Sequence, residues 1–238
     1  MKRLQIIGLL LIGVLFTSCH LESKRENAKG LNLLLQNDNI GAAATFGSIC
    51  QTDPAWYPAY YNRAVAMARC GKYQDALMDF DFVLNAHPDH ADSYFNRAIV
   101  YENLGDNAKA IKDYSQAIAL QPNFLMAYHY RGMVRFKMED LVGALGDFTK
   151  ALDLGRGVTM EVKQAKEFGL NSSGLFFCRG AVYQKLGEFE KAISDYSQSL
   201  YIDPSNAKAY FNRGAAYMQV AEYDKAKEDL LRAVELSK

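Results

Sequence analysis

Apolar and polar positions along this chain follow two regimes. Behind Lys2 and Arg3, a 13-residue run from Leu4 to Phe16 is apolar apart from Gln5, Gly8 and Gly13. From residue 23 onward the pattern becomes periodic, with alanines at Ala42, Ala76, Ala110 and Ala144 recurring every 34 residues, and at Ala192 and Ala226 after an interruption. Four residues after each alanine stands an aromatic, or a leucine in the last unit: Phe46, Phe80, Tyr114, Phe148, Tyr196 and Leu230. Sixteen residues before the last five alanines is another aromatic (Tyr60, Tyr94, Tyr128, Phe176, Tyr210), and twelve before is a small residue (Ala64, Ala98, Gly132, Gly180, Gly214). Gly71, Gly105 and Gly187 separate the two half-patterns, where a helix should stop, and Pro54, Pro88, Pro122 and Pro204 close four of the units.

These residues resemble the tetratricopeptide repeat, in which each 34-residue unit is a helix, a turn and an antiparallel helix. The resemblance implies an all-α fold, an α-solenoid of helix-turn-helix repeats. Its frame gives a degenerate unit at 23–56, which has Glu26 in place of the first aromatic, three units over 57–158, an insertion at 159–172, and two units over 173–238. Within a unit, a small first-helix residue is expected to face the alanine of the second helix, and the aromatics to fill the gaps between units. Lys227 follows the last signature alanine where inner units have Leu77, Ile111, Leu145 and Ile193, and so predicts a solvated end.

The leading apolar run is too short for a comfortable membrane span and reads as a signal peptide. Phe16-Thr17-Ser18-Cys19 resembles a bacterial lipobox, with residues 1–18 removed and Cys19 acylated, in the manner of a palmitate-bearing lipoprotein. Residues 19–22 would be the lipidated terminus and a short linker. The expected location is the bacterial cell envelope, the outer membrane in preference to the inner, with membrane contact through lipid alone.

Composition narrows the chemistry. With 27 Lys plus Arg against 27 Asp plus Glu, the chain has no net field to concentrate a polyanion, which argues against nucleic acid as a partner. Half of its 238 residues are apolar and only five are proline, so it should fold, as one or two domains. The four cysteines lack the spacing of a zinc site or a disulfide scaffold. His87, Asp89, His90 and Asp92 cluster at a turn between units, where polar residues are expected anyway. No phosphate loop or nucleophile motif is present, and the reading is of a non-enzyme with no cofactor, no metal and no small-molecule substrate.

Five units carry an Arg and, sixteen residues on, an Asp: Arg63 and Asp79, Arg97 and Asp113, Arg131 and Asp147, Arg179 and Asp195, Arg213 and Asp229. They read either as ion pairs within each unit or as a row of arginines for an acidic ligand. In tetratricopeptide proteins the first helices line a concave groove, and an Asn just before the Arg often bonds a bound peptide. The resemblance places Asn62, Asn96 and Asn212 there, with Tyr130 and Cys178 in the middle units, beside a row of Tyr61, Phe95, His129, Phe177 and Phe211. Such a groove suits a peptide or protein segment with apolar anchors, although the same rings also suit packing between repeats. The insertion, with a possible helix over 160–168, reads equally as a binding element or a spacer. Two functions follow: an interaction adaptor that recruits a partner through the groove, or a structural subunit of an outer-membrane assembly or secretion complex.

Overall fold

The computed structural model describes residues 20–155 and 172–237. Among them are twelve helices and no strand. The chain divides into two compact units, Met1–Asp106 and Asn107–Lys238. In the first, α1 covers 20–35, followed by α2 (Asn39–Thr52), α3 (Tyr57–Arg69), α4 (Tyr73–Ala86) and α5 (Ala91–Asn103). The second holds α6 (Asn107–Leu120), α7 (Leu125–Lys137), α8 (Leu141–Gly155), α9 (Ser172–Lys185), α10 (Phe189–Ile202), α11 (Ala207–Gln219) and α12 (Tyr223–Leu236). Residues 20–22, expected as a linker, instead open α1. Ser23 and His20 tie that helix to Asp53 at 3.1 and 3.0 Å.

The turn inside each repeat is fixed by one left-handed residue. Gly71, Gly105 and Gly187 have φ of 74°, 81° and 76°, and Asn37, Glu139 and Ala221 occupy the same turn with φ of 61°, 62° and 61°. The geometry therefore persists where glycine, which carries no steric penalty there, is absent.

Packing within a repeat adds one contact to those expected. All six signature alanines are fully buried, as are Phe46, Phe80, Tyr114 and Tyr196. The small first-helix residue lies under the ring four places after the alanine, in its own repeat. A Cβ on Gly132 would stand 2.9 Å from Phe148 Cε1, and one on Gly180 3.0 Å from Tyr196 Cδ1. These rings thus hold the two helices of one repeat together and, as expected, also pack on the next repeat: Phe46 shares a core cluster with Ala59 and Ala66, Phe80 with Val100, and Tyr114 lies 6.2 Å from Tyr130. Each such buried ring contributes about 1.5–3 kcal/mol relative to exposure.

Four of the expected Arg–Asp pairs lie within one unit, and each is two-pronged. Arg63 donates from Nε and Nη2 to Asp79 at 2.7 and 2.6 Å, Arg131 to Asp147 at 3.0 and 2.7 Å, Arg179 to Asp195 at 2.7 and 2.8 Å, and Arg213 to Asp229 at 2.7 and 2.8 Å. The guanidiniums also sit over rings of their own helix. Arg213 lies 5.6 Å from the Tyr210 centroid and 5.9 Å from that of Tyr217, and Arg179 5.7 Å from Phe176 and 5.8 Å from Tyr183. The repeated first-helix aromatic therefore shields an ion pair.

The third nitrogen of these arginines reaches backward. Nη1 of Arg97, Arg131 and Arg213 donates to Asp81, Ser115 and Ser197 of the preceding repeat at 2.5, 2.9 and 3.0 Å, with Arg97 and Asp81 in the first unit and the other two pairs in the second. Arg131 and Arg213 thus each close their own helix pair and fasten it to the one before.

Candidate functional site

In the first unit the candidate groove residues are drawn into bonds between repeats. Asn62 donates to Asn27 Oδ1 at 2.7 Å. Asn96 donates to the Tyr61 hydroxyl at 3.0 Å and to the Asp92 carbonyl at 2.9 Å, which uses both of its amide hydrogens. The Tyr61 ring packs edge-on to Phe80 and tilts against His90, with centroids 6.1 and 5.1 Å apart, and burial raises its phenol above the ordinary range. Phe95 is half-buried on α5.

The second unit treats the same positions differently. His129 is half-buried, edge-on to Tyr130 at 5.4 Å and near Phe148 at 6.0 Å. Its Nδ1 is enclosed without a hydrogen-bond partner, and burial pushes the imidazole down to about 4. Cys178, at the Asn position, lies 3.6 Å from the Met133 sulfur, and burial pushes its thiol up to about 11. Phe177 packs on Tyr196 at 5.8 Å. Asn212 bonds the Tyr196 hydroxyl. Phe211 alone of the row is open, with 57% of its surface exposed.

Three of the predicted residues, Phe177, Phe211 and Asn212, come together in an open cleft of about 560 Å³ between α9, α11 and the end of α12. Its walls are completed by Lys208, Val234 and Ser237, with small residues at the base. Sequence reasoning missed Val234, although a signal was present. Eight residues after the signature alanine, Leu84, Leu152 and Leu200 are 7%, 4% and 5% exposed, whereas Val234 is 59% exposed. Leu231, 56% exposed, adds to that apolar face. Lys227 is exposed as expected, but the end it marks is only partly polar.

The turn cluster resolves into structural roles. His90 Nδ1 caps α5 by accepting from Ser93 N at 3.2 Å, and His87 tilts against Tyr57 with ring centroids 3.8 Å apart. Among the described residues, no group of three or more His, Cys, Asp or Glu side chains is placed to hold a metal ion. Among the same residues no helix is long and apolar enough to cross a membrane. Cys19 and the stretch 159–171 of the insertion lie outside the described residues.

Comparison with known proteins bears on the repeat itself. Residues 91–124 and 207–238 match models described as tetratricopeptide repeat, and residues 180–220 match one described as TPR repeat. Over these segments the chain is similar to the tetratricopeptide repeat. Over 86 residues, 36% of its length, it is 31% identical to the tetratricopeptide repeat and J domain-containing co-chaperone DNJ1 of Cryptococcus neoformans, of which that match spans only 16%. Among solved structures, a tetratricopeptide repeat protein from Parabacteroides merdae superposes with a TM-score of 0.69 at 19% identity, covering 91% of this chain and 80% of that one. YrrB, described as a TPR protein with an unusual peptide-binding site, superposes with a TM-score of 0.68 at 21% identity, covering 82% of this chain and 93% of its own. At these identities the likeness is one of fold, the all-α tetratricopeptide solenoid.

Proposed function

We propose that this protein is a non-catalytic interaction adaptor of a bacterial envelope, tethered by lipid on Cys19, and that its cleft at Phe177, Phe211 and Asn212 captures a segment of a protein partner. The observation that carries this reading is the exposed Phe211 ring in an apolar recess, flanked by an amide and Lys208. A large ring left in water beside a concavity is how protein surfaces present an anchor point. The peptide-binding site named for YrrB supports the same class of role. The anchor rests on the lipobox-like Phe16-Thr17-Ser18-Cys19, and the outer membrane is the proposed location.

Capture from solubilised membranes with the intact anchor tests both parts. Phe211→Ala is expected to lose the captured partner, and Cys19→Ala to move the protein out of the membrane fraction. Capture that is indifferent to Phe211 would sink the cleft, and unchanged membrane partition would sink the anchor. The reading as a structural subunit draws on a different surface. Ile40, Met78, Val142 and Tyr201 on the second helices are more exposed than Phe211, and that reading predicts an intact complex when Phe95 and Phe211 are both replaced by alanine.

A further inference from the structure

We infer that the outward face of α1 is a lipid-binding surface, on which Leu21, Leu31 and Leu35, with Lys24 and Arg25 among them, rest on the bilayer, so that the first repeat lies along the membrane. The inference rests on the lipid anchor of the proposed function and specifies how the anchored protein sits.

Positions 21, 24, 25, 28, 31, 32 and 35 recur at helical spacing and so share one side of α1. All are exposed, and the three leucines are 71%, 41% and 84% exposed. The opposite side faces the repeat: Ser23 and Gly30 are buried, and a Cβ on Gly30 would stand 2.4 Å from Phe46 Cε1 of α2. The repeat frame does not ask for leucine on the outward side. The position of Leu35 holds Arg69, Asn103, Lys137, Lys185 and Gln219 in the other first helices, and that of Leu21 holds Ala55, Asp89, Asn123 and Ser205. Nor is this side shaped for close packing on another repeat. Ala59 and Ala66 of α3 share a core cluster with Phe46 and Ile49 of the repeat before, whereas α1 has the exposed Arg25 and Asn32 at those two positions.

The residue next to this face names its occupant. Acyl chains on Cys19 leave the backbone one peptide bond before His20, where α1 is already helical. No slack separates lipid from helix, because His20 and Ser23 both bond Asp53, at 3.0 and 3.1 Å, and the His20 ring lies edge-on to Trp56 at 5.9 Å. The start of α1 therefore sits at headgroup level, and the stripe from Leu21 to Leu35 runs about 21 Å along the helix. Leucines on such a stripe reach the acyl boundary while the long Lys24 and Arg25 side chains extend to phosphates, the arrangement of a helix lying in the interface. The acidic residues of α1, Glu22 and Glu26, fall outside the stripe, and Glu26 pairs with Lys29 at 2.5 Å. Anionic headgroups are therefore favoured. Membrane contact through lipid alone, the expectation from net charge, gives way to contact through lipid and helix together.

The test uses the acylated protein purified from membranes and returned to vesicles of phosphatidylcholine and phosphatidylglycerol, with bromine on the upper acyl chains as a quencher. In a Trp56→Phe background, Leu35→Trp reports from the stripe and Met78→Trp, at a position 65% exposed on α4, from elsewhere in the same unit. Leu35→Trp should lose about half of its emission or more to the brominated lipid, and Met78→Trp should keep its own. Lys24→Glu with Arg25→Glu should cut the quenching about twofold. All but the Trp56 change fall on exposed positions, and an unchanged melting curve certifies the fold. Leu35→Trp that keeps its emission and stays open to iodide overturns the inference, as does equal quenching at both positions. Shielding from iodide that grows with the amount of protein per vesicle, without quenching by bromine, overturns it in favour of a second copy. In each of these cases the protein still floats with the vesicles, so the anchor stands. A chain that carries no acyl group on Cys19 by mass spectrometry and does not float with the vesicles removes the anchor reading, and the inference with it.

Discussion

The row of aromatics and amides before the repeated arginine is used in one way in the first unit and in another at the end of the second. Tyr61 and Asn96 bond each other across a repeat junction, and Asn62 is spent on Asn27, so these residues serve cohesion. Phe211 occupies the same place as Tyr61 in its repeat, yet more than half of it faces water and it borders a cleft. The residue types barely differ. What differs is the cover each ring receives: Tyr61 lies against His90 and Asn96, whereas Phe211 faces water, and that decides whether an apolar ring becomes core or a contact site.

If the units share an internal frame and differ only in this row, breaking the frame should cost the same in both. Asp79→Ala in the first unit and Asp195→Ala in the second each strand a partly buried arginine, and each should lower stability by about 2–4 kcal/mol in urea unfolding, below the full penalty of a buried pair because the arginines keep some water contact. Markedly unequal losses would mean that the frames are not equivalent. The row itself should then separate the units. Tyr61→Ala is expected to cost about 2–3 kcal/mol through lost packing and the stranded Asn96 donor, while Phe211→Ala should change stability by no more than about 0.5 kcal/mol. Similar costs at both positions would erase the contrast.

A pH titration gives a smaller effect confined to the second unit. Burial holds His129 down to about 4 in the folded chain, so the unfolded chain takes up a proton first as the pH falls below about 6.5. Its contribution is fully present above that pH, declines toward pH 4 and is then exhausted, a loss on the order of 1–3 kcal/mol. His129→Phe should remove that part of the pH dependence in thermal melts, and an unchanged slope would show that the imidazole is not the group responsible.

The fold class was legible because the same packing problem is solved repeatedly. A glycine or alanine under a ring, a left-handed turn and a charged pair leave the same marks at each pass, and the family matches and the fold neighbours rest on those marks. The site was legible only in part. Phe177, Phe211 and Asn212 were named from the repeat pattern, but so were Tyr61, Asn62 and Asn96, and nothing local in the sequence distinguishes a ring covered by the neighbouring repeat, as Tyr61 is, from one left open, as Phe211 is. The backward bonds from Arg131 to Ser115 and from Arg213 to Ser197 were missed because pairing arginine with aspartate already accounted for the charge. Val234 went unnoticed because it looks like an ordinary core residue, and only its place after the last signature alanine makes it surface.

Those backward bonds also bear on how the chain comes apart. Where an arginine grips both its own aspartate and a hydroxyl of the repeat before, local opening of one helix pair must loosen its neighbour, so amide exchange there should be slow and shared between repeats. Leu231 and Val234 of α12 stand open to water, so exchange and protease cleavage in the second unit should begin at that helix.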